Sequence, residues 1–415
     1  MRCHHFESGE CRSCTLLDVP HRRQIADGSA RVRELLAPYL APTGIAAAPD
    51  PWLAPIPSAE SRFRARAKMA VTGTAAAPVL TLPGQKLGAD LCDCPLYPRS
   101  VEAVLEGAKA LIRRAQVPPY DVARRRGEIK NVLVTVTPDG EHQVRLVLRS
   151  ERALDRIREH LPALLSAQPS IVSVSANLHP EHTSQVEGQR EIHLAGTESI
   201  PVRTGEVTLF ARPQSFLQTN TEVAGRLYRQ GAAWIAQSAS DRAADPSPER
   251  DSPHPAPDSP HPEEGSPYRV WDLYCGLGGF ALHTALALPD AEVTGVEASA
   301  HAIDGAREAA AAQDLPVTFL TADATGWAAE RAAETGPPDA VIVNPPRRGL
   351  GRHLSAWLEN SGVRDVVYSS CNPTTLAADL AQMPSLRIVA GRWVDMFPHT
   401  EHAEVIVRLQ RTDPA

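Results

Sequence analysis

No stretch of the 415-residue sequence approaches the roughly 20 apolar residues that a membrane helix needs, and Met1-Arg2-Cys3-His4-His5 lacks the apolar core of a signal peptide. A cytoplasmic protein is expected. Cysteine is scarce and odd in number: seven, without a secretion signal, read better as metal ligands or catalytic groups than as a disulfide scaffold. A net positive charge is also missing. The formal balance of -7 argues at first against a nucleic-acid partner. Position changes that reading, because part of the acid lies around 241 to 264, whereas Arg62, Arg64, Arg66 and Lys68 form an acid-free basic cluster. Arg113, Arg114, Arg124, Arg125, Arg126 and Lys130 form a second one. Such clusters can serve a phosphate backbone under a negative total, or be no more than a solvated face.

The length favours two or three domains. From Ser240 to Pro267 the composition shifts to Pro, Ser, Asp and Glu, with DSPHP repeated at 251–255 and 258–262. Too few apolar side chains are present to offset the entropy of ordering, so a disordered insertion is expected over 240–267. Beyond it, apolar runs at Arg269–Tyr274, Ala291–Glu297, Pro316–Leu320, Ala340–Val343 and Val363–Ser369 alternate with alanine-rich helical stretches. That rhythm predicts an α/β fold with a parallel sheet covered by helices. Leu386–Val394 and Ala403–Leu409 predict an antiparallel hairpin at the sheet edge. Before the insertion, strand-like runs at 131–137, 143–148, 171–177 and 207–211 with helices near 101–115 and 151–166 predict a separate α+β domain. The expected division is 1–205 and 206–415.

Trp271-Asp272-Leu273-Tyr274-Cys275-Gly276-Leu277-Gly278-Gly279-Phe280 puts a glycine-rich turn between a predicted strand and helix. Open α/β sheets bind ligands at the carboxyl ends of their strands, and Glu297 closes the next strand where an acid meets ribose hydroxyls. The turn lacks the G-x-G-x-x-G spacing and a lysine for phosphates, so S-adenosylmethionine fits better than a dinucleotide. Asp323, after the third strand, suits either an adenine contact or a helix cap.

Asn344 ends a buried strand and is held by Pro345 and Pro346, with Arg347 where amine methyltransferases carry a base-stacking aromatic residue. That disfavours an exocyclic nitrogen target. Cys371 ends the next strand at the same sheet edge. A lone cysteine is more often a buried apolar residue; here its placement suggests a nucleophile. Carbon 5 of a pyrimidine is a poor nucleophile until a thiolate adds at carbon 6, and the adduct then needs a base to remove the carbon 5 proton. Glu404, entering the final strand, is the expected base.

MRCHHFESGECRSC, FRARAKM, DLCDCPLYP, RPQSFLQTN, DLYCGLGGF, VNPPRRG, YSSCN and DMFPHTEHAEV occur in this order over nearly the whole chain outside the insertion. In them the chain resembles the bacterial RNA uracil-C5 methyltransferases, in the branch acting on 23S ribosomal RNA. The resemblance implies a Rossmann-like methyltransferase domain behind an α+β region with an N-terminal iron-sulfur segment. It implies Cys371 as nucleophile and Glu404 as base, with Gln218, Tyr274, Glu297 and Asn344 lining the cofactor and substrate site. It also implies a [4Fe-4S] cluster on Cys3, Cys11, Cys14 and Cys94, with Cys92 the rival fourth ligand and zinc a possible occupant by ligand type. The insertion and Arg66 depart from the family pattern. With no further RNA-binding barrel ahead of the cysteines, segments 61–68 and 112–130 are expected to help hold the RNA. A monomer is expected. The rival readings are a cytosine-C5 RNA methyltransferase and a non-catalytic RNA-binding or assembly factor.

Overall fold

The structure is a computed structural model that describes residues 1–42, 50–84, 88–183, 185–244 and 266–412. Residues 245–265, most of the expected insertion, lie outside the described residues. Its expected first residues do not belong to it: the helix Thr221–Ala244 runs through them, and Asp241 is paired with Arg408 at 3.0 Å. Among the described residues no helix is long and apolar enough to cross a membrane.

The chain forms two compact units, one of Met1–Leu17, Ala59–Arg203 and Phe210–Thr221, the other of Asp18–Ser58, Thr204–Leu209 and Glu222–Ala415. A single cut near 205 therefore misses two exchanges, 18–58 and 210–221.

The first unit is built on β1 (Arg66–Gly73), β2 (Pro78–Thr81), β3 (Ile129–Val136), β4 (His142–Leu148), β5 (Ile171–Leu178) and β6 (Arg190–Gly196), in the order β2-β1-β3-β4-β5-β6. All neighbours are antiparallel except β4 and β5, which the helix Leu154–Ala167 joins as a crossover. Strand alternation sorts the side chains: Met69, Val132, Val134, Val144, Leu146, Val174 and Ala176 enter the apolar core, where the helix Arg99–Arg114 buries Val101, Val104, Leu105, Ala108, Leu111 and Ile112. The opposite face is polar yet buried. Arg145, 1% exposed, grips Glu191 with two donors at 3.0 and 2.7 Å, and Asn177 donates to the same carboxylate at 2.8 Å. The hairpin of β7 (Ile200–Thr204) and β8 (Val207–Ala211) carries the chain across the division.

The second unit contains β9 (Arg269–Leu273), β10 (Glu292–Glu297), β11 (Val317–Thr321), β12 (Ala340–Val343), β13 (Asp365–Ser370), β14 (Leu386–Val394) and β15 (Glu404–Arg411), in the order β11-β10-β9-β12-β13-β15-β14. β11 to β13 are parallel; β15 runs antiparallel to both β13 and β14. The parallel sheet and the terminal antiparallel pair expected from the sequence are thus observed. The order reverses between β9 and β12, which opens a crevice at their carboxyl ends.

The edge at β14 is covered by a segment the sequence reading left without structure. Trp52 and Ile56 bridge to Gly391 and Val394, and Leu53 and Ile56 donate to Gly391 and Trp393 at 2.8 and 2.9 Å. The helix His21–Leu36 buries Gln24, Gly28, Val32 and Leu36, one residue per turn. Gly28 is required there, since a Cβ would stand 2.9 Å from the Trp393 ring. An unpaired edge strand invites aggregation, and this strap removes it. Leu36, on the strap, is wholly buried. Leu36→Ala is expected to destabilise the second unit by about 2–5 kcal/mol in chemical denaturation; an unchanged midpoint would show that the strap contributes nothing to the core.

Candidate functional site

The crevice between β9 and β12 is shaped by backbone. After Leu273 the chain turns through Tyr274 (φ 62), Gly276 (φ 54) and Gly278 (φ 80) into the helix Gly279–Ala287. A tyrosine in the left-handed region is uncommon and costly, and such residues concentrate at functional turns. At Gly278 a Cβ would meet the Phe319 ring at 2.5 Å, and at Gly279 the Tyr228 ring at the same distance; at Gly276 it would meet nothing within 4 Å. Two glycines therefore allow close packing below the turn, and the third leaves its outer side open.

Asp272 fastens the turn, and sequence reasoning gave it no role. Its Oδ2 accepts from the Ala281 amide at 2.9 Å, while buried Oδ1 has no hydrogen-bond partner among the described residues. Burial, with a contribution from the Glu297 charge, pushes its carboxyl up to about 8. Glu297 ends β10, its Oε1 accepting from the Ser299 amide at 2.9 Å. Asn344 follows β12, its amide donating to the Leu273 carbonyl at 3.4 Å. Asp323 is a helix cap, accepting from the Gly326 amide at 2.8 Å. Tyr274, Glu297 and Asn344 are thus at the carboxyl ends of adjacent strands. Gln218, buried, is in the stretch Phe210–Thr221 of the other unit.

Cys371 follows β13 and is half-buried on a cavity of about 440 Å³ lined also by Arg31, Leu35, Arg347, Thr374, Glu401 and His402. Antiparallel pairing puts Ser370 opposite Val405, so Glu404 enters β15 beside Cys371. Glu404 is 1% exposed and among the described residues has no cation beside it; burial pushes its carboxyl up to about 7, partly offset by Ser369 Oγ, which donates to it at 2.8 Å. The thiol is raised by burial and by Glu404, and lowered by the Arg347 guanidinium beside it. Asn372 and Thr375 both donate to the Arg347 carbonyl at 3.2 Å, pinning that arginine next to the thiol. Buried Tyr368 feels the charges of both Tyr274 and Cys371, so the glycine turn and the thiol share one neighbourhood. The residue after Pro346 is informative in the sequence only as a departure from the aromatic pattern; its contact with the thiol needed the fold.

A second cluster lies in the first unit. Cys14 is pushed up to about 12 by burial and then by Cys94, Cys11 and Cys3, and Cys94 to about 11 by burial with Cys3 and Cys11 adding; the Arg64 cation opposes both. The four thiols therefore face one another. Cys92 has other neighbours, being raised by burial and by Asp90, with Lys109 opposing.

The basic segment 61–68 does not form the open cationic face its sequence suggests. Arg66 is buried, Lys68 bonds Glu187 at 2.7 Å, Arg62 donates to the Tyr97 carbonyl at 2.8 Å, and Arg64 serves the cysteines. Alternation along β1 turns Arg66 and Lys68 towards Glu187 on the polar face. Arg113, Arg114, Arg124, Arg125 and Arg126 stay exposed.

Residues 262–358 match the family described as Methyltransferase small domain, and 337–412 match tRNA (Uracil-5-)-methyltransferase. The chain is 40% identical over 414 residues to a 23S rRNA (uracil(747)-C(5))-methyltransferase of Halothiobacillus neapolitanus, covering 99% of this chain and 100% of the relative. It is 41% identical over 413 residues to the protein of that description from Shewanella amazonensis, covering 99% and 97%. The crystal structure of the Pyrococcus abyssi tRNA (uracil-54, C5)-methyltransferase with S-adenosyl-L-homocysteine matches with a TM-score of 0.71 at 21% identity, over 95% of this chain and 85% of that one, which shows a shared fold.

Because the Glu404 carboxyl titrates near 7 in the folded chain against an ordinary 4.5, the folded state holds the extra proton between those values. The resulting stability is complete below 4.5 and lost as pH rises through 7. Glu404→Gln is expected to be more stable than the parent at pH 8, by on the order of 2–3 kcal/mol, with the difference shrinking towards pH 4.5. Melting curves at the two pH values check this; a pH-independent difference would contradict it.

Proposed function

The chain belongs to the 23S rRNA (uracil(747)-C(5))-methyltransferase family, and from that premise we propose that it methylates carbon 5 of uracil 747 in 23S rRNA with S-adenosylmethionine as donor, Cys371 being the nucleophile and Glu404 the base. The observation that carries the residue assignment is a half-exposed thiol on an open cavity beside a buried carboxyl held near neutrality.

The open side of Gly276 and the crevice between β9 and β12 suit a ligand without phosphates, held by Tyr274, Glu297 and Asn344. The donor supplies an electrophilic methyl on a sulfonium. Arg347 favours the thiolate of Cys371, whose sulfur bonds carbon 6 of the ring and makes carbon 5 enolate-like. Carbon 5 bonds the methyl carbon while the methyl–sulfur bond breaks, leaving a neutral thioether. The Glu404 carboxylate then takes the carbon 5 proton; the electron pair re-forms the 5,6 double bond and the Cys371 thiolate departs. A carboxyl near 7 is matched to this work, about half ionised at neutral pH and basic enough to accept the proton.

For Cys3, Cys11, Cys14 and Cys94 the reading is a [4Fe-4S] cluster. Four facing thiols resist joint ionisation, and a cationic centre that displaces their protons relieves this. Among the described residues, the sets of three or more metal-binding groups within 4.8 Å of one another are His4, His5 and Asp93, and Asp90, Cys92 and Glu106; the four thiols are not such a set. They stand wider than the sulfurs around one tetrahedral zinc, about 3.8 Å apart for bonds of about 2.3 Å, which supports a cluster.

Cys371→Ala is expected to abolish methyl transfer to a 23S rRNA transcript, read as 5-methyluridine by nucleoside mass analysis; wild-type turnover, or 5-methylcytidine as the product, overturns the reading. Glu404→Gln is expected to accumulate a protein–RNA adduct that survives denaturing electrophoresis, because addition proceeds while proton removal is blocked. Cys94→Ser is expected to lose iron and acid-labile sulfide from anaerobically purified protein while Cys92→Ser retains them. Stoichiometric zinc in their place would contradict the cluster.

A further inference from the structure

The cavity at Cys371 has a wall that the reaction scheme does not use. Gly28, Arg31, Val32 and Leu35 line it from the helix His21–Leu36. Contact between Gly28 and Trp393 presses this helix onto β14, and so carries Arg31 to the cavity. Leu35 beside it stays 39% exposed although large and apolar.

The arginines of this helix differ in what they hold. Arg23 donates to Asp27 at 2.8 Å, and Arg33 is paired with Asp50 and lies over the Trp52 ring. Arg31 is exposed, and among the described residues no carboxylate is bonded to it. The other lining cation, Arg347, is engaged with the thiol. Uracil is neutral, so neither the thiol chemistry nor the base needs a second permanent cation here. What enters with the ring is its sugar-phosphate chain, and arginine is the side chain best matched to a phosphodiester. We propose that Arg31 binds a phosphodiester adjoining the target nucleotide, which makes the strap helix the RNA-facing wall of the reaction cavity. The proposal rests on the uracil-C5 reading of this cavity.

The test is the affinity of the full-length protein for a labelled 23S rRNA transcript containing the target uridine, measured across a salt series. Arg31→Ala is expected to weaken binding about 5- to 10-fold near 0.1 M salt and to lower the slope of log affinity against log salt by about 0.7–0.9, the loss of one phosphate contact. Arg31→Lys should restore the slope, and Arg31→Gln should repeat the loss if the alanine variant folds poorly. Arg22→Ala removes the same charge from the same helix at a separate depression shared with Arg33, and should keep the parental slope. Parental affinity and slope in Arg31→Ala, or an equal loss in Arg22→Ala, overturns the proposal. If the parent makes no 5-methyluridine in this transcript, the cavity reading itself fails; if it does while Arg31→Ala binds normally, only the phosphate site fails.

Discussion

A carboxyl group buried without a counter-ion, next to a thiol that must ionise, is the constraint around which the second unit is arranged. Burial alone would leave Glu404 protonated and Cys371 inert. Ser369 and Arg347 each offset part of that cost, one by a hydrogen bond and the other by charge. The antiparallel insertion of β15 between β13 and β14 brings the two groups together, because it returns the chain to the rim where the parallel strands end.

The alternating pattern of the later half was legible because the inner parallel strands, buried on both faces, read as apolar runs, and the exposed edge strand β11 keeps enough apolar residues to join them, with boundaries within two residues of those observed. The strap helix was not. Its buried stripe is Gln24, Gly28, Val32 and Leu36, and a glutamine and a glycine hide the helical period from any search for apolar spacing. β1 escaped for a related reason: RAKMAVTG alternates, but its outward residues are arginine and lysine, which looked like an RNA surface until Glu187 was found among them.

The site divides in the same way. Cys371, Glu404, Glu297 and Asn344 stand at strand ends, where sheet geometry tells the reader to look. Asp272 lies inside a strand, and its work is to hold a turn nine residues ahead. Gln218 carries no local pattern and came only through resemblance. Arg31 is one of several arginines on a helix, distinguishable only once Asp27 and Asp50 are seen to occupy Arg23 and Arg33, and Arg31, unlike Arg22, is seen to line the thiol's cavity.

Residues 18–58 complete a sheet whose edge strand is made near the other end of the chain. On the ribosome, Leu36, Trp52 and Ile56 emerge long before Trp393 exists to receive them. Their apolar side chains must wait, solvated or held by a chaperone, until β14 has been made, so this sheet edge cannot be covered while the earlier strands are emerging. A chain stopped anywhere before β14 strands an apolar strap, a handle by which quality control can recognise truncated product.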